Sequence, residues 1–139
     1  MLTINILAVI ASAIAAFIIG FLFHGPLFGK LWMKLADIHP TGNEKLSDMI
    51  PQMLWNLLSN FVTALILSVV YLLASTSPYL SDMGVWGGVV CAMLVWLGFL
   101  VTSSSIEVIW MGRSVKLWLF ECASSFVVLV VMGLIISIW

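Results

Sequence analysis

Long runs of apolar residues, separated by three short polar connections, dominate this sequence. The runs cover residues 3–23, 51–74, 84–106 and 115–139. Each has about 21–25 residues, and about 20 helical residues are enough to cross the hydrocarbon core of a bilayer. Because backbone polar groups in lipid must be paired within their own segment, we expect these runs to be helices. The pattern predicts an all-α fold, a four-transmembrane-helix bundle that forms a single integral membrane domain over residues 1–139.

The first connection has a helical pattern of its own. It starts at Pro26, a residue that suits the first turn of a helix. Apolar side chains then recur on one helical face and lysines on the other: Leu27, Phe28, Leu31, Trp32 and Leu35 against Lys30 and Lys34. This arrangement predicts a short amphipathic helix in the membrane interface between helices 1 and 2. Lys30, Trp32 and Lys34 are its predicted interfacial anchors.

Composition and charge exclude a soluble protein. The chain is 63% hydrophobic and only 8% charged, whereas about 25% of the residues in a soluble domain are charged. The net charge of −1 provides no basic surface for nucleic acid. The expected partner is therefore the lipid bilayer, with no nucleic acid. The two cysteines, Cys91 and Cys122, lie inside apolar runs and are interpreted as small buried residues.

The distribution of basic residues predicts the orientation. All five lie in the first and third connections or beside them: Lys30, Lys34, Lys45, Arg113 and Lys116. The second connection, residues 75–83, has none. Because loops rich in Lys and Arg stay in the cytoplasm, the first and third connections are predicted to be cytoplasmic and both termini outside. Arg113 and Lys116 are the other predicted interfacial anchors.

The first connection resembles a known family. This chain reads Phe23-His24-Gly25 and then Pro26-Leu27-Phe28-Gly29-Lys30-Leu31-Trp32-Met33. Family members typically have Trp-Tyr-Ser-Pro, then Leu or Phe, then Phe-Gly-Lys-x-Trp-Met. The resemblance continues through Gly112-Arg113-Ser114-x-Lys116-Leu117 and Val131-Met132-Gly133. The family consists of small bacterial four-helix membrane proteins catalogued as a domain of unknown function. The resemblance implies this topology and a bacterial plasma (inner) membrane, but no substrate and no catalytic residue.

Glu121 is the one ionisable residue well inside an apolar run. It lies about 9 Å into the fourth helix by helix rise. An acid at this depth must be paired, hydrated or protonated. We therefore expect it to face the bundle interior and to hydrogen-bond to His24, Asn56 or Asn60, with Lys116 or Arg113 as a nearby base.

Other polar residues are predicted at the same end of the bundle. Gln52, Asn56 and Asn60 form a stripe on the second helix, and Thr102 lies near the end of the third. With Glu121 and His24 they are the candidates for lining a polar cavity that faces the cytoplasm. The alternative is that these groups only form hydrogen bonds that hold neighbouring helices together.

Small residues recur every four positions on two helices. They are Ala8, Ser12, Ala16 and Gly20 on the first helix, and Gly84, Gly88 and Ala92 on the third. Small residues let helix backbones approach closely in lipid. We expect a tight contact at Ser12 and Gly20, within the bundle or between subunits of a homo-oligomer.

The sequence contains no recognisable catalytic constellation, so an enzyme is not expected, and neither is a metal ion or a cofactor. The interpretation is a small integral membrane protein that, as a homo-oligomer, binds or passes a small solute or ion through the polar cavity. The alternative is a structural or accessory protein that docks a partner or itself through the small-residue grooves. A membrane-embedded enzyme with Glu121 and His24 as acid and base is a third hypothesis.

Overall fold

Four long helices dominate the computed structural model, which describes residues 3–139. Each is long and apolar enough to cross a membrane. We number them span 1 (Ile6–Leu27), span 2 (Leu46–Ala74), span 3 (Val85–Met111) and span 4 (Val115–Ile138). No strand occurs within residues 3–139. The predicted all-α fold with four membrane-spanning helices is confirmed.

A shorter helix, Gly29–Leu35, follows span 1 and is called the interfacial helix below. Pro26 does not begin this helix, contrary to expectation, but lies within a π-helical turn, Phe23–Leu27, that closes span 1. Gly25 breaks the helical backbone there, at φ −122° and ψ −108°. The break agrees with the missing N–H of proline and the conflict of its ring with the preceding turn.

The helices extend further than the apolar runs. Span 2 begins at Leu46 instead of residue 51, and span 3 continues to Met111 instead of residue 106. Glu107, which we expected in the third connection, is therefore helical. Gly112 ends span 3 with a φ of +66°, a left-handed conformation that glycine adopts without strain. A single turn, Pro78–Ser81, lies between spans 2 and 3.

Span 4 is the centre of the bundle and packs against both span 1 and span 3, while span 2 packs mainly along span 1. The apolar core lies in the half of the bundle that is away from the basic residues. It comprises Val9, Ala13, Ala16, Ala64, Leu67, Ala92, Leu129, Met132 and Ile136. We call the other half, which carries all five Lys and Arg residues, the basic end.

The tightest helix contact joins spans 3 and 4 at Gly88 and Gly133. A Cβ atom added to Gly88 would overlap the carbonyl oxygen of Gly133 and lie 2.7 Å from the Cβ of Ser137. Ser137 Oγ donates a hydrogen bond to the Val85 carbonyl at 2.8 Å. Small residues at this crossing therefore let the two backbones touch.

Only some of the predicted small residues are packed between helices of the chain. Ala8, Ser12, Ala16, Gly88 and Ala92 are buried within the chain. Gly20 and Gly84 do not make the expected contact within the chain, because nothing in it lies within 4 Å of a Cβ added to either. Gly84 instead precedes span 3 with a φ of +53°. Gly20 borders the cavity described below, where span 1 has separated from span 2.

Spans 2 and 3 both deviate from regular packing at the basic end. Residues 46–59 of span 2 are exposed except for the partly buried Met53. Span 3 contains a π-helical segment, Trp96–Val101. There the Trp96 indole nitrogen donates to the Cys122 carbonyl at 3.0 Å and lies 3.2 Å from Ser125 Oγ. The result is a cleft that opens at the basic end.

Candidate functional site

Glu121 joins three separate parts of the chain at the basic end. Its Oε2 lies 3.1 Å from Nε2 of His24, in the π-helical turn that closes span 1. Its Oε1 accepts a hydrogen bond from the indole nitrogen of Trp32, on the interfacial helix, at 3.1 Å. Of the hydrogen-bond partners proposed from the sequence, the structure brings His24 to Glu121. Asn56 and Asn60 instead bond to each other, with Asn60 Nδ2 donating to Asn56 Oδ1 at 2.7 Å.

The backbone after span 1 brings His24 and Trp32 to the same place. A Cβ atom added to Gly29 would lie 2.9 Å from the carbonyl oxygen of His24. Only glycine lets the chain fold back this closely without displacing its neighbours. The rings of His24 and Trp32 then meet edge to face, with centroids 5.2 Å apart.

The hydrogen bonds of His24 define how many protons the pair holds. Nδ1 lies 2.9 Å from the Gly20 carbonyl oxygen. Because a carbonyl can only accept, Nδ1 must carry a hydrogen. The contact between His24 Nε2 and Glu121 Oε2 then needs one further proton, placed on the imidazole or on the carboxyl group. In both cases the pair shares one proton and has no net charge.

The Glu121 carboxyl group retains capacity for further donors. A carboxylate offers about four lone-pair positions, and His24 and Trp32 occupy one on each oxygen. The side chain is 43% exposed in the protein. Glu121 can therefore accept a hydrogen bond from a bound molecule without losing either of its protein partners.

One cavity beside Glu121, here called the deep cavity, has a volume of about 240 Å³. It lies mainly between spans 1, 2 and 4. Amides, hydroxyls and apolar groups line it: Ala16, Gly20, His24, Asn56, Asn60, Thr63, Leu100, Glu121, Ser124, Ser125, Val128 and Leu129. Four of the six predicted cavity residues thus share one cavity.

The other two predicted cavity residues, Gln52 and Thr102, do not line it, which corrects the expectation. Gln52 is exposed on the second turn of span 2, one turn before Asn56. Thr102 is also exposed, and its hydroxyl donates to the Gly98 carbonyl of its own helix at 2.7 Å. A threonine hydroxyl satisfied in this way needs no partner across the bundle.

A second cavity, here called the side cavity, lies on the other side of Glu121 and has a volume of about 230 Å³. Ser104, Glu107, Val108, Arg113, Leu117, Trp118 and Glu121 line it. The Trp118 indole nitrogen donates to Ser104 Oγ at 2.9 Å and links spans 3 and 4. Arg113 forms an ion pair with Glu107 across the end of span 3.

The predicted interfacial anchors differ from one another in the structure. Lys30, Lys34 and Lys116 are exposed at the basic end, and Arg113 is paired with Glu107. Trp32 is half-exposed and bonded to Glu121, a role that the sequence analysis missed. The available signal was its indole N–H, a group that usually finds a partner when it is covered.

Comparison with known proteins identifies a family but no function. No curated protein and no solved structure matches the chain. One family, described as "Protein of unknown function (DUF1761)", matches residues 7–137, a range that includes every residue lining the two cavities. The chain therefore belongs to the DUF1761 family, as its resemblance to a domain of unknown function indicated.

Proposed function

We propose that this protein binds a small cationic solute at Glu121, within the deep cavity. The observation that carries the proposal is the carboxyl group itself. It lies inside an apolar span, bonded to His24 and Trp32, and still has acceptor capacity beside a polar cavity. An acid within a membrane span is costly, and such residues commonly mark the paths of substrates or ions.

The cavity favours a small amine. Its volume of about 240 Å³ is below the range of about 300–1,000 Å³ that is typical of sites for drug-sized ligands. Asn56, Asn60 and the two serines of span 4 provide hydrogen-bonding groups, while Leu100, Val128 and Leu129 provide an apolar wall. This lining suits a protonated primary amine with a short alkyl chain.

The proposed location is the bacterial plasma membrane with the basic end in the cytoplasm and both termini outside. All five Lys and Arg residues lie at that end, and basic loops are retained in the cytoplasm. Reporter fusions at Trp139 and near Gly42 test the orientation. Activity of a cytoplasmic reporter at Trp139 would contradict it.

Passage of the solute requires more than one chain. Beyond Ala16 and Leu129, the spans of a single chain close around the apolar core. We therefore propose a homo-oligomer for transport, and native mass spectrometry from a mild detergent tests it. A strictly monomeric protein would limit the function to solute binding.

The alternative, an accessory protein that docks through small-residue grooves, has less support. The residues of those grooves, among them Ser12, Ala16, Gly88 and Ala92, are already buried within one chain. They are therefore not available to a partner without opening the bundle.

The experiment is a thermal-stability screen of the purified protein with a series of primary amines from methylamine to butylamine. A ligand that binds only the folded protein stabilises it by about 2.7 kcal/mol at 100 times its Kd. The stabilisation should be lost in Glu121→Gln, which cannot hold a negative charge, and in Thr63→Phe, which fills the deep cavity.

Glu44→Gln is the matched control, because it removes an acid from the exposed first connection. It should keep the response of the unmodified protein. Stabilisation that persists in Glu121→Gln, or that disappears equally in Glu44→Gln, would refute the proposed site.

A further inference from the structure

We propose that the side cavity is a separate aqueous route through which the His24–Glu121 pair exchanges its proton. Binding of a cation in the deep cavity would then be coupled to release of one proton through the side cavity. The coupling rests on the proposed function, whereas the aqueous route can be tested without any solute.

The two cavities meet at a single residue. Within the part of the chain that the structure describes, Glu121 alone lines both of them. His24 borders the deep cavity only, and Glu107 and Arg113 border the side cavity only. A carboxyl group placed in this way can contact a solute on one side and water on the other.

Charged groups bring water to the side cavity. The side chains of Arg113 and Glu107 are 54% and 43% exposed, and they form an ion pair beside the third connection. Ionised groups near the end of a span stay hydrated, because removing them from water is costly. The side cavity, with a volume of about 230 Å³, connects this ion pair to Glu121, so water at the pair can reach the carboxyl group.

Charge balance explains why a cation would displace the proton. The pair shares one proton and has no net charge, as the hydrogen bonds of His24 require. When a monovalent cation takes a place at the carboxylate and the proton leaves to water, the hydrogen bond between His24 and Glu121 is lost, but the site again has no net charge. No unpaired charge is left inside the apolar spans, where it would be expensive.

The groups that face Glu121 agree with this balance. Span 1 contributes His24, and the end of span 3 with the connection after it contributes Glu107 and Arg113, which form an ion pair with each other. The interfacial helix contributes the uncharged indole of Trp32. Span 2 faces the deep cavity with the uncharged side chains of Asn56, Asn60 and Thr63.

The route can be tested with a water-soluble carbodiimide, which takes up a protonated carboxyl group as an O-acylisourea. Transfer of the acyl group from oxygen to nitrogen within this adduct then leaves a stable N-acylurea. The full-length protein is reconstituted in liposomes, treated near neutral pH, and analysed by peptide mass spectrometry. We expect an adduct at Glu121 and none at this position in Glu121→Gln. Absence of the adduct in the unmodified protein would overturn the route.

Two filling variants separate the cavities. Val108→Phe fills the side cavity and should lose most of the adduct, whereas Thr63→Phe fills the deep cavity and should keep it. Val108→Ile adds less volume and should reduce the amount of adduct only in part. It keeps the test decisive even when Val108→Phe does not fold. The opposite pattern, with loss in Thr63→Phe alone, would overturn the proposal.

The coupling is tested with the amine series described above. Release of one proton requires the apparent affinity to rise about tenfold per pH unit while the pair still holds its proton. An affinity that does not change with pH would overturn the coupling and leave the solute site intact. Failure of every amine to bind, together with the expected carbodiimide pattern, would refute the proposed solute and leave the aqueous route standing.

Discussion

The indole nitrogen of Trp32 lies 3.1 Å from Oε1 of Glu121 and joins the interfacial helix to span 4. The two residues are far apart in the sequence, and a polar bond in a largely apolar surrounding connects them. A carboxyl group inside a span thus holds one side chain of the interfacial helix. A change at Glu121 is therefore expected to reach the lipid head groups through Lys30 and Lys34.

Replacement of Trp32 by Phe should loosen the interfacial helix. The variant loses the hydrogen bond to Glu121, and bonds to charged groups contribute about 1.5–3 kcal/mol. Hydrogen exchange should become faster over Gly29–Leu35, and the melting temperature in detergent should fall. Trp55→Phe is the control, because Trp55 is 69% exposed on span 2. Equal exchange rates in the two variants would contradict the role assigned to Trp32.

Glu121→Gln and Glu121→Leu should differ in stability. A glutamine can accept from Trp32 through its oxygen and donate to a neutral His24 through its nitrogen. It should change the free energy of unfolding by less than about 1 kcal/mol. Leucine removes both hydrogen bonds, and a hydrogen bond to a charged group contributes about 1.5–3 kcal/mol. Unfolding in mixed micelles measures both, and equal stability would show that these bonds do not hold the site together.

Glycines at two positions should respond in opposite ways to alanine. Gly88→Ala inserts a methyl group against the backbone of Gly133, and such overpacking costs about 1–3 kcal/mol. Gly20→Ala meets nothing within 4 Å and favours the helix, because glycine is about 0.5–1 kcal/mol worse than alanine there. Thermal unfolding of both variants is the measurement. Lower stability of Gly20→Ala would instead support the tight contact at Gly20 that we expected from the sequence.

Ser12→Ala should leave the protein equally stable or make it more stable. The hydroxyl of Ser12 is fully buried and has no hydrogen-bond partner among residues 3–139. A buried polar group without a partner costs about 1–3 kcal/mol. The opposite kind of substitution at the neighbouring position, Ala13→Ser, adds a hydroxyl at a buried site of the same helix and should destabilise the bundle. A clear loss of stability in Ser12→Ala would indicate that its hydroxyl has a partner in the assembled protein.

Acid should loosen the turn in the first connection. The backbone N–H of Thr41, with its hydroxyl and the N–H of Gly42, donates to Glu44 and lowers the pKa of this carboxyl below its ordinary value of 4.5. A lowered pKa in the folded state means that the bonds stabilise the turn above the ordinary value and are lost as the pH falls through the lowered one. The protection of the Thr41 and Gly42 amides, measured as the intrinsic exchange rate at each pH divided by the observed rate, should fall in that range. In Glu44→Gln this protection should not change with pH there.

The fold was predictable because the bilayer restricts it. Runs of about 20 apolar residues can only be helices in lipid, and the structure has four of them. The helix ends were less predictable. Hydropathy does not detect the additional helical turns that lie outside the apolar runs and extend span 2 back to Leu46 and span 3 forward to Met111. Those ends depend on local backbone signals such as the positive φ of Gly112.

The pairing of Glu121 with His24 was predictable, but the contact of Glu121 with Trp32 was not. An acid inside a span needs partners, and the sequence offered His24 at the matching depth. It did not predict that Gly25 and Gly29 fold the chain back and bring Trp32 to the same carboxyl group. It also placed Gly20 in a contact, because the spacing of small residues does not record where two helices separate. Both features depend on the backbone path after span 1.

The division of the bundle into an open basic end and a closed apolar half also determines where an electrical potential falls. Water and ionised groups at the basic end keep that region close to the voltage of the adjoining solution, so the field is concentrated across the apolar core around Leu129 and Met132. Glu121 lies before this core. Occupation of the site should therefore depend little on voltage, whereas moving one charge past Leu129 would involve nearly the full 2.3 kcal/mol or so per 100 mV.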